Sequence, residues 1–231
     1  MGHGEPFAEG GQRRCRGVVD GSTDATLTFA VPDQLMSTDI KALKEAHTEH
    51  AVHDLIRQRF SARGFSDRPL SSETMNTLFE AAAWAPSSMN EQPWRYRYAL
   101  RGTPAFEELW SCLAIGNQPW AKGAAALVVC LGRTNLQRNG QPNHYWLHDV
   151  GLANANLLIQ AASMDIYGHL MGGFDHDKAK ATLGLSELAE EVACFIALGH
   201  LGDAEQLVEP FKTREHTARV RRALSETVTA L

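Results

Sequence analysis

Ala85-Pro86-Ser87-Ser88-Met89-Asn90-Glu91-Gln92-Pro93-Trp94 is the stretch that frames the chain. Pro86 pushes its predecessor out of the helical region, so a helix capped by Ser71 or Ser72 and running to Trp84 must stop there. After Pro93, Trp94 to Leu100 alternates and predicts a strand. Between the two prolines lie short hydroxyl and amide side chains, which offer donors and acceptors together. Such a set suits the polar edge of a flat heterocycle. The same residue types also favour turns for their own sake, so this stretch read alone leaves both meanings open.

Outward from it, helix and strand signals interleave. Asp39 to Arg59 reads as one helix with Ile40, Leu43, Ala51, Val52, Leu55 and Ile56 as its apolar set. Thr103-Pro104 opens another helix, with Thr as cap and Pro at the first helical position. Ala124 to Leu131 is a continuous apolar run, as expected of a strand covered on both faces. A polar loop follows from Arg133 to Asn143, then a long, mostly apolar helix from Leu147 to Met164. Ile166 to Leu170 predicts a strand leading into Met171-Gly172-Gly173-Phe174-Asp175, where Asp175 caps a helix that stops at Gly184. Val192 to Leu198 is a further buried strand. Pro210 to Arg214 reads as irregular and basic, and His216 to Thr227 as a final amphipathic helix. Interleaved helices and buried strands predict a sheet covered on both sides.

The chain has 231 residues, 44% hydrophobic, with a formal charge of -5. That length supports one sizeable core. Residues 1–35 are polar, Gly-rich and aperiodic and read as a disordered extension, leaving a single domain over 36–231. No Lys/Arg run suggests nucleic-acid binding, and no apolar stretch is long enough to span a bilayer. Cys15, Cys112, Cys130 and Cys194 lack paired spacing. Cys130 and Cys194 sit in apolar runs and read as small core residues of a cytoplasmic protein. No metal is expected. His47, His50 and His53 share a solvated face, and His144 and His148 lack a metalloprotease glutamate. No G-x-G-x-x-G follows a strand, so a Rossmann dinucleotide site is unsupported.

Three further clusters carry charge or unusual backbone. Arg59-Phe60-Ser61-Ala62-Arg63-Gly64-Phe65 places two guanidiniums and a hydroxyl at a turn, a donor set suited to a phosphate monoester. Cations at a helix C-terminus are the competing reading. Gly172 and Gly173 would let backbone approach a planar ligand, or simply turn a strand into a helix. Lys212-Thr213-Arg214 is a second cationic cluster, which alone is a surface charge run.

Taken in order, R-x-S-x-R-x-F, A-P-S-S-x-N-x-Q-P-W, G-G-F-D and K-x-R resemble the FMN-dependent nitroreductase family over roughly Asp54 to Leu224. The resemblance implies an α+β, three-layer fold, with a central mixed or antiparallel sheet flanked by helices and an intertwined homodimer. It implies FMN as tightly bound cofactor and NAD(P)H as co-substrate. Arg59, Ser61 and Arg63 resemble the family's N-terminal phosphate and ribityl ligands, and Lys212 and Arg214 its C-terminal ones. Pro86, Ser87, Ser88, Asn90 and Gln92 resemble the loop that approaches the flavin from the partner subunit. Met171, Gly172 and Gly173 resemble the backbone beside the reactive ring edge, and Asn117 a further ring contact. No side-chain catalytic residue is required, because the flavin carries the chemistry. His144, Tyr145 and Trp146 are expected to line a pocket for a small oxidised acceptor. The family's scaffold also serves dehalogenation, flavin cleavage and azoline oxidation, and a flavin-binding protein without turnover is the other alternative. Gly172 stands where some members carry Glu, and Phe60 where several carry Arg or His.

Overall fold

The computed structural model describes residues 40–185 and 189–231. The extension expected over 1–35, Met36 and Cys15 lie outside the described residues.

Four strands form one antiparallel sheet: β1 (Trp94–Leu100), β2 (Ala126–Arg133), β3 (Tyr167–Met171) and β4 (Glu190–Gly199), in the order β1-β2-β4-β3. β2 is central and buried along nearly all its length, which is why it reads as an unbroken apolar run. Its alternate side chains feed two cores. Leu127, Val129 and Leu131 face one layer, with α3 (Pro104–Ser111), α4 (Gln118–Ala121) and α6 (His176–Leu183). Val128 and Cys130 face the other, with α2 (Ser72–Ala83) and α5 (Trp146–Ser163). Three layers follow from a period of two on one central strand.

The capping chemistry is as the sequence predicts. Ser71 accepts from the Thr74 N–H at 3.1 Å, Thr103 from Phe106 at 3.3 Å, and Asp175 from Lys178 at 3.0 Å. Gly184 closes α6 at φ +63°, a left-handed value that glycine adopts without strain.

Two expected helices are corrected. Asp39 to Arg59 is not one helix: among its described residues a helical turn spans 40–44, 45–53 is irregular, and α1 (Asp54–Gln58) begins afresh. The stretch between is polar and exposed, so no core face rewards a continuous helix. The His53 side chain instead caps α1 by accepting from the Leu55 N–H at 3.2 Å. At the other end, Pro210 to Arg214 is not irregular but lies within and beside α7 (Phe211–Glu215), whose Phe211 and Glu215 are buried. Beyond it, His216 to Thr227 is not helical except for a 3-10 turn at Leu224–Glu226. The backbone there is held by long-range side-chain bonds described below.

Candidate functional site

The two ends of the described chain meet in a cleft of about 350 Å³, lined by Lys44, Arg59, Ser61, Arg63, Arg214, Thr217, Arg219 and Arg221 among others. Six cations thus share one concavity. Burial, aided by the neighbouring Arg221, pulls the Arg59 guanidinium below its ordinary value. Burial likewise lowers Arg63, against the opposing pull of Glu215 and with further help from Arg214. Like charges held this close, partly desolvated, are costly unless an anion joins them.

Three side chains build the cleft rather than fill it. Lys44 is 6% exposed and donates to the carbonyls of Arg214 (2.8 Å) and Thr217 (2.7 Å). Arg219 donates to the carbonyls of Lys44, Arg57 and Arg59. Glu215, 1% exposed, accepts from the backbone N–H of Arg63 at 3.0 Å and Gly64 at 3.4 Å, and its other carboxylate oxygen is buried without a partner among the described residues. These bonds knit 44–64 to 214–219 and leave Arg59, Arg63, Arg214 and Arg221 with no acidic partner among the described residues.

Lys212 lies elsewhere. Its ammonium pairs with Glu205, which also meets His216 Nε2 at 2.9 Å, and it does not line the cleft. Arg219-Val220-Arg221 repeats the basic-x-basic spacing of Lys212-Thr213-Arg214, and that spacing was the available signal for Arg221. Lys44 and Glu215 carried none, because their role arises only from contacts across more than 150 residues.

From the cleft the site continues along one wall. The Arg63 guanidinium lies 5.8 Å from the Trp120 ring centroid, and Trp120 packs on His169 at 4.5 Å. Asn117 precedes α4, and its Nδ2 donates to the Gly173 carbonyl at 3.0 Å, which also accepts from the Ala114 N–H at 3.0 Å. Met171 is buried, whereas Gly172 is exposed and a Cβ there would meet nothing within 4 Å. Asn117, Gly173 and Gly172 therefore form a fixed, flat, open ledge.

The polar loop is fixed separately. Asp149 on α5, 1% exposed, accepts from the Ser88 N–H at 3.0 Å, while Ser87 accepts from the Gln92 N–H at 3.0 Å. Met89, Asn90 and Gln92 all have φ near +50°. Three non-glycine residues in the left-handed region within four positions is backbone strain of the kind found at ligand-binding turns. Pro86, Asn90 and Gln92 stand exposed. A second cavity of about 690 Å³ lies between this loop and Gln137 and Arg138. Of the expected acceptor-pocket residues, His144 and Tyr145 are exposed and line neither cavity. Trp146 instead packs on Gly132, where a Cβ would approach it to 2.2 Å.

A sequence profile described as "Nitroreductase family" matches residues 56–200. A solved structure described as an oxidoreductase containing FMN shares 31% identity and superposes with a TM-score of 0.70, over 75% of this chain and 89% of its own. A protein of Archaeoglobus fulgidus, classed with NADH dehydrogenases and NAD(P)H nitroreductases, is 28% identical over 67% of this chain and 88% of its own length. Nitrobenzene nitroreductase of Ectopseudomonas oleovorans is 50% identical over 55 residues, 24% of each chain.

Proposed function

The chain belongs to the nitroreductase family, and we propose that it is an FMN-dependent oxidoreductase carrying electrons from NAD(P)H to small oxidised acceptors. The acceptor class is flat and electron-poor: nitroaromatics, quinones and activated alkenes. The observation that carries this reading is the cleft in which Arg59, Arg63, Arg214 and Arg221 converge. Four guanidiniums without acidic partners among the described residues, beside the Ser61 hydroxyl, match the charge and donor needs of a phosphate monoester. Bound FMN would supply the redox chemistry, mediating hydride transfer between the nicotinamide and the acceptor.

The chain's own residues do the rest. Lys44, Arg219 and Glu215 hold the two halves of the phosphate cleft in register. Arg63 lies on the route from the phosphate to the ledge and supplies positive charge on the ring side, where an electron-rich ring is stabilised. Asn117 pins the Gly173 backbone, and the absence of a side chain at Gly172 leaves room for close approach of a planar group. Pro86, Ser87, Ser88, Asn90 and Gln92 belong to a strained loop anchored on α5, and in this reading they serve the flavin of a second subunit in a cytoplasmic homodimer. Lys212 stays outside the anion site in this reading.

Anaerobic stopped-flow tests the proposal. The purified protein is expected to be yellow, with its flavin absorbance bleached by NADH or NADPH and restored by menadione or nitrofurazone. Failure of both nicotinamides to bleach the flavin overturns it.

A further inference from the structure

A second cluster of reactive groups lies away from the cation cleft, on the sheet face covered by α5. Register places Tyr96, Cys130 and Cys194 side by side across β1, β2 and β4. Directly opposed residues of antiparallel strands point to the same face. Asn154 of α5 sits over them. The Tyr96 hydroxyl donates to Asn154 Oδ1 at 2.9 Å, which commits the amide's N–H end to Cys194 Sγ at 3.5 Å. Cys130 is fully buried and Cys194 is partly exposed. The proposed flavin chemistry uses neither thiol.

We propose that Cys130 and Cys194 form a peroxide-oxidisable dithiol, with Cys194 as the attacking sulfur and Cys130 as the resolving one. Opposed Cα atoms in an antiparallel pair lie about 4.5–5.5 Å apart, within the range a disulfide bridges. The strand register slips immediately beyond this pair, where Leu131 faces Val192 and Ala193 has no partner. Such a bulge loosens the ladder where sulfur atoms must draw together. The two thiols are also unequal: hydrogen bonding from Cys130 and from Asn154 lowers the Cys194 thiol, while burial raises Cys130. A partly exposed thiol held below its ordinary value next to a resolving cysteine is the pattern of oxidant-sensitive sites.

The chemistry balances with a hydroperoxide as oxidant. The Cys194 thiolate attacks a peroxide oxygen, the O–O bond breaks, and with one proton a water leaves, giving the sulfenic acid. The Cys130 sulfur then attacks Cys194 Sγ, the S–O bond breaks, and the second water departs as the S–S bond forms. In total two thiols lose two electrons and two protons, and one hydrogen peroxide becomes two waters. Cys112 is the built-in contrast. It is buried against the Glu108 carbonyl and Thr182 with no cysteine beside it among the described residues, and should not react.

The test is graded hydrogen peroxide on the intact protein as purified, followed by differential alkylation and peptide mass spectrometry. The expected result is loss of the Cys130 and Cys194 thiols together while Cys112 stays alkylatable, a linked peptide joining Cys130 to Cys194, and full recovery with dithiothreitol. In Cys130→Ser, Cys194 should accumulate as a dimedone-trapped sulfenic acid, whereas in Cys194→Ser, Cys130 should stay reduced. Asn154→Ala should slow Cys194 oxidation several-fold. The proposal falls if Cys194 stays alkylatable at peroxide concentrations that oxidise Cys112, or if it is oxidised without ever linking to Cys130. The wild-type map decides this even where a variant folds poorly, and it does not depend on whether the flavin assignment holds.

Discussion

Arg59 and Lys212 carry the same charge in opposite surroundings, and that difference is measurable. Arg59 lines the shared cleft, and its guanidinium is pulled down by burial and by Arg221, whereas the Lys212 ammonium is committed to Glu205 at the surface. Losing one charge-assisted bond costs about 1.5–3 kcal/mol, so Arg59→Ala should weaken FMN binding roughly ten- to a hundredfold. Lys212→Ala should change it less than about twofold, an exposed ion pair being worth little. Fluorescence titration with FMN, and with riboflavin as a phosphate-free control, reads both. Equal losses for the two variants, or an equal loss with riboflavin, would contradict the assignment. The N-terminal part of this site was legible because Arg59, Ser61 and Arg63 are neighbours in sequence. Arg221 was hidden behind an equally good basic-x-basic match at Lys212-Thr213-Arg214, and only packing distinguishes the two. A second residue-level prediction concerns His169. Burial, and then the Arg63 charge, drive its imidazole down to about 4 despite hydrogen bonds to the backbone of Ala62 and Ser61. The unfolded imidazole titrates near 6.5, so between these values the unfolded chain binds more protons. Neutral His169 therefore leaves stability intact above about pH 6.5, and stability declines as pH falls toward 4. Thermal unfolding of wild type and His169→Gln from pH 7 to 5 should show a steeper decline in the wild type. Parallel curves would remove His169 from the account.

The turn after α1 is held in place by a backbone contact with no slack. Gly202 donates to the Gly64 carbonyl at 3.1 Å beside the Phe65–Leu201 bridge, and a Cβ at 202 would stand 2.5 Å from the Phe65 carbonyl carbon and oxygen. These are backbone atoms and cannot rotate away, so Gly202→Ala must shift the segment that carries Arg59 and Arg63. The cost should be about 1–3 kcal/mol of stability, with weaker FMN binding following from the displaced guanidiniums. Gly172→Ala makes the opposite case, since its Cβ meets nothing of the protein. It should leave the melting temperature unchanged yet slow flavin reduction, because the methyl group projects where the ring is proposed to lie. Calorimetry paired with stopped-flow separates the two, and a stable Gly172→Ala with wild-type reduction rates would empty that ledge of its role. Elements defined by local chemistry, namely capped helices and the alternating or continuous apolar strands, were readable in advance. The two failures differ in cause. Over 45–53 the chain is polar and exposed and no core face rewards a helix, whereas from 216 on it is held by the Lys44 ammonium on the Thr217 carbonyl and by the Arg219 side chain reaching the carbonyls of Lys44, Arg57 and Arg59 rather than by its own periodicity. An apolar stripe on exposed residues such as Ile56 and Val220 misled the reading because nothing within the described residues covers it.

The molecule displays large apolar side chains in places a lone subunit has little reason to expose them. Trp84 is 82% exposed, Met89 73% and Val220 83%, in the segments flanking the polar loop and the cation cleft. In the homodimer proposed above, a two-fold interface is expected to cover such groups and to set the loop of one subunit against the cleft of the other, each pairing then occurring twice. Mass alone, twice 25.4 kDa by sedimentation, cannot show that the sites are shared. Complementation can. Arg59→Ala damages the cleft of its own chain, and Asn90→Ala damages the loop it would lend to its partner. Each homodimer then has two defective sites. In a heterodimer made by mixing and refolding, one site inherits both defects and the other inherits neither. With random exchange half the dimers are mixed, and one site in two of those is intact, so FMN-dependent NAD(P)H oxidation should recover to about one quarter of wild type from near zero. If loop and cleft of the same chain served one flavin, every site in the mixture would keep a defect and no activity would return. A recovery clearly below that fraction, once exchange has been verified with differently tagged chains, would place the loop in its own subunit's site.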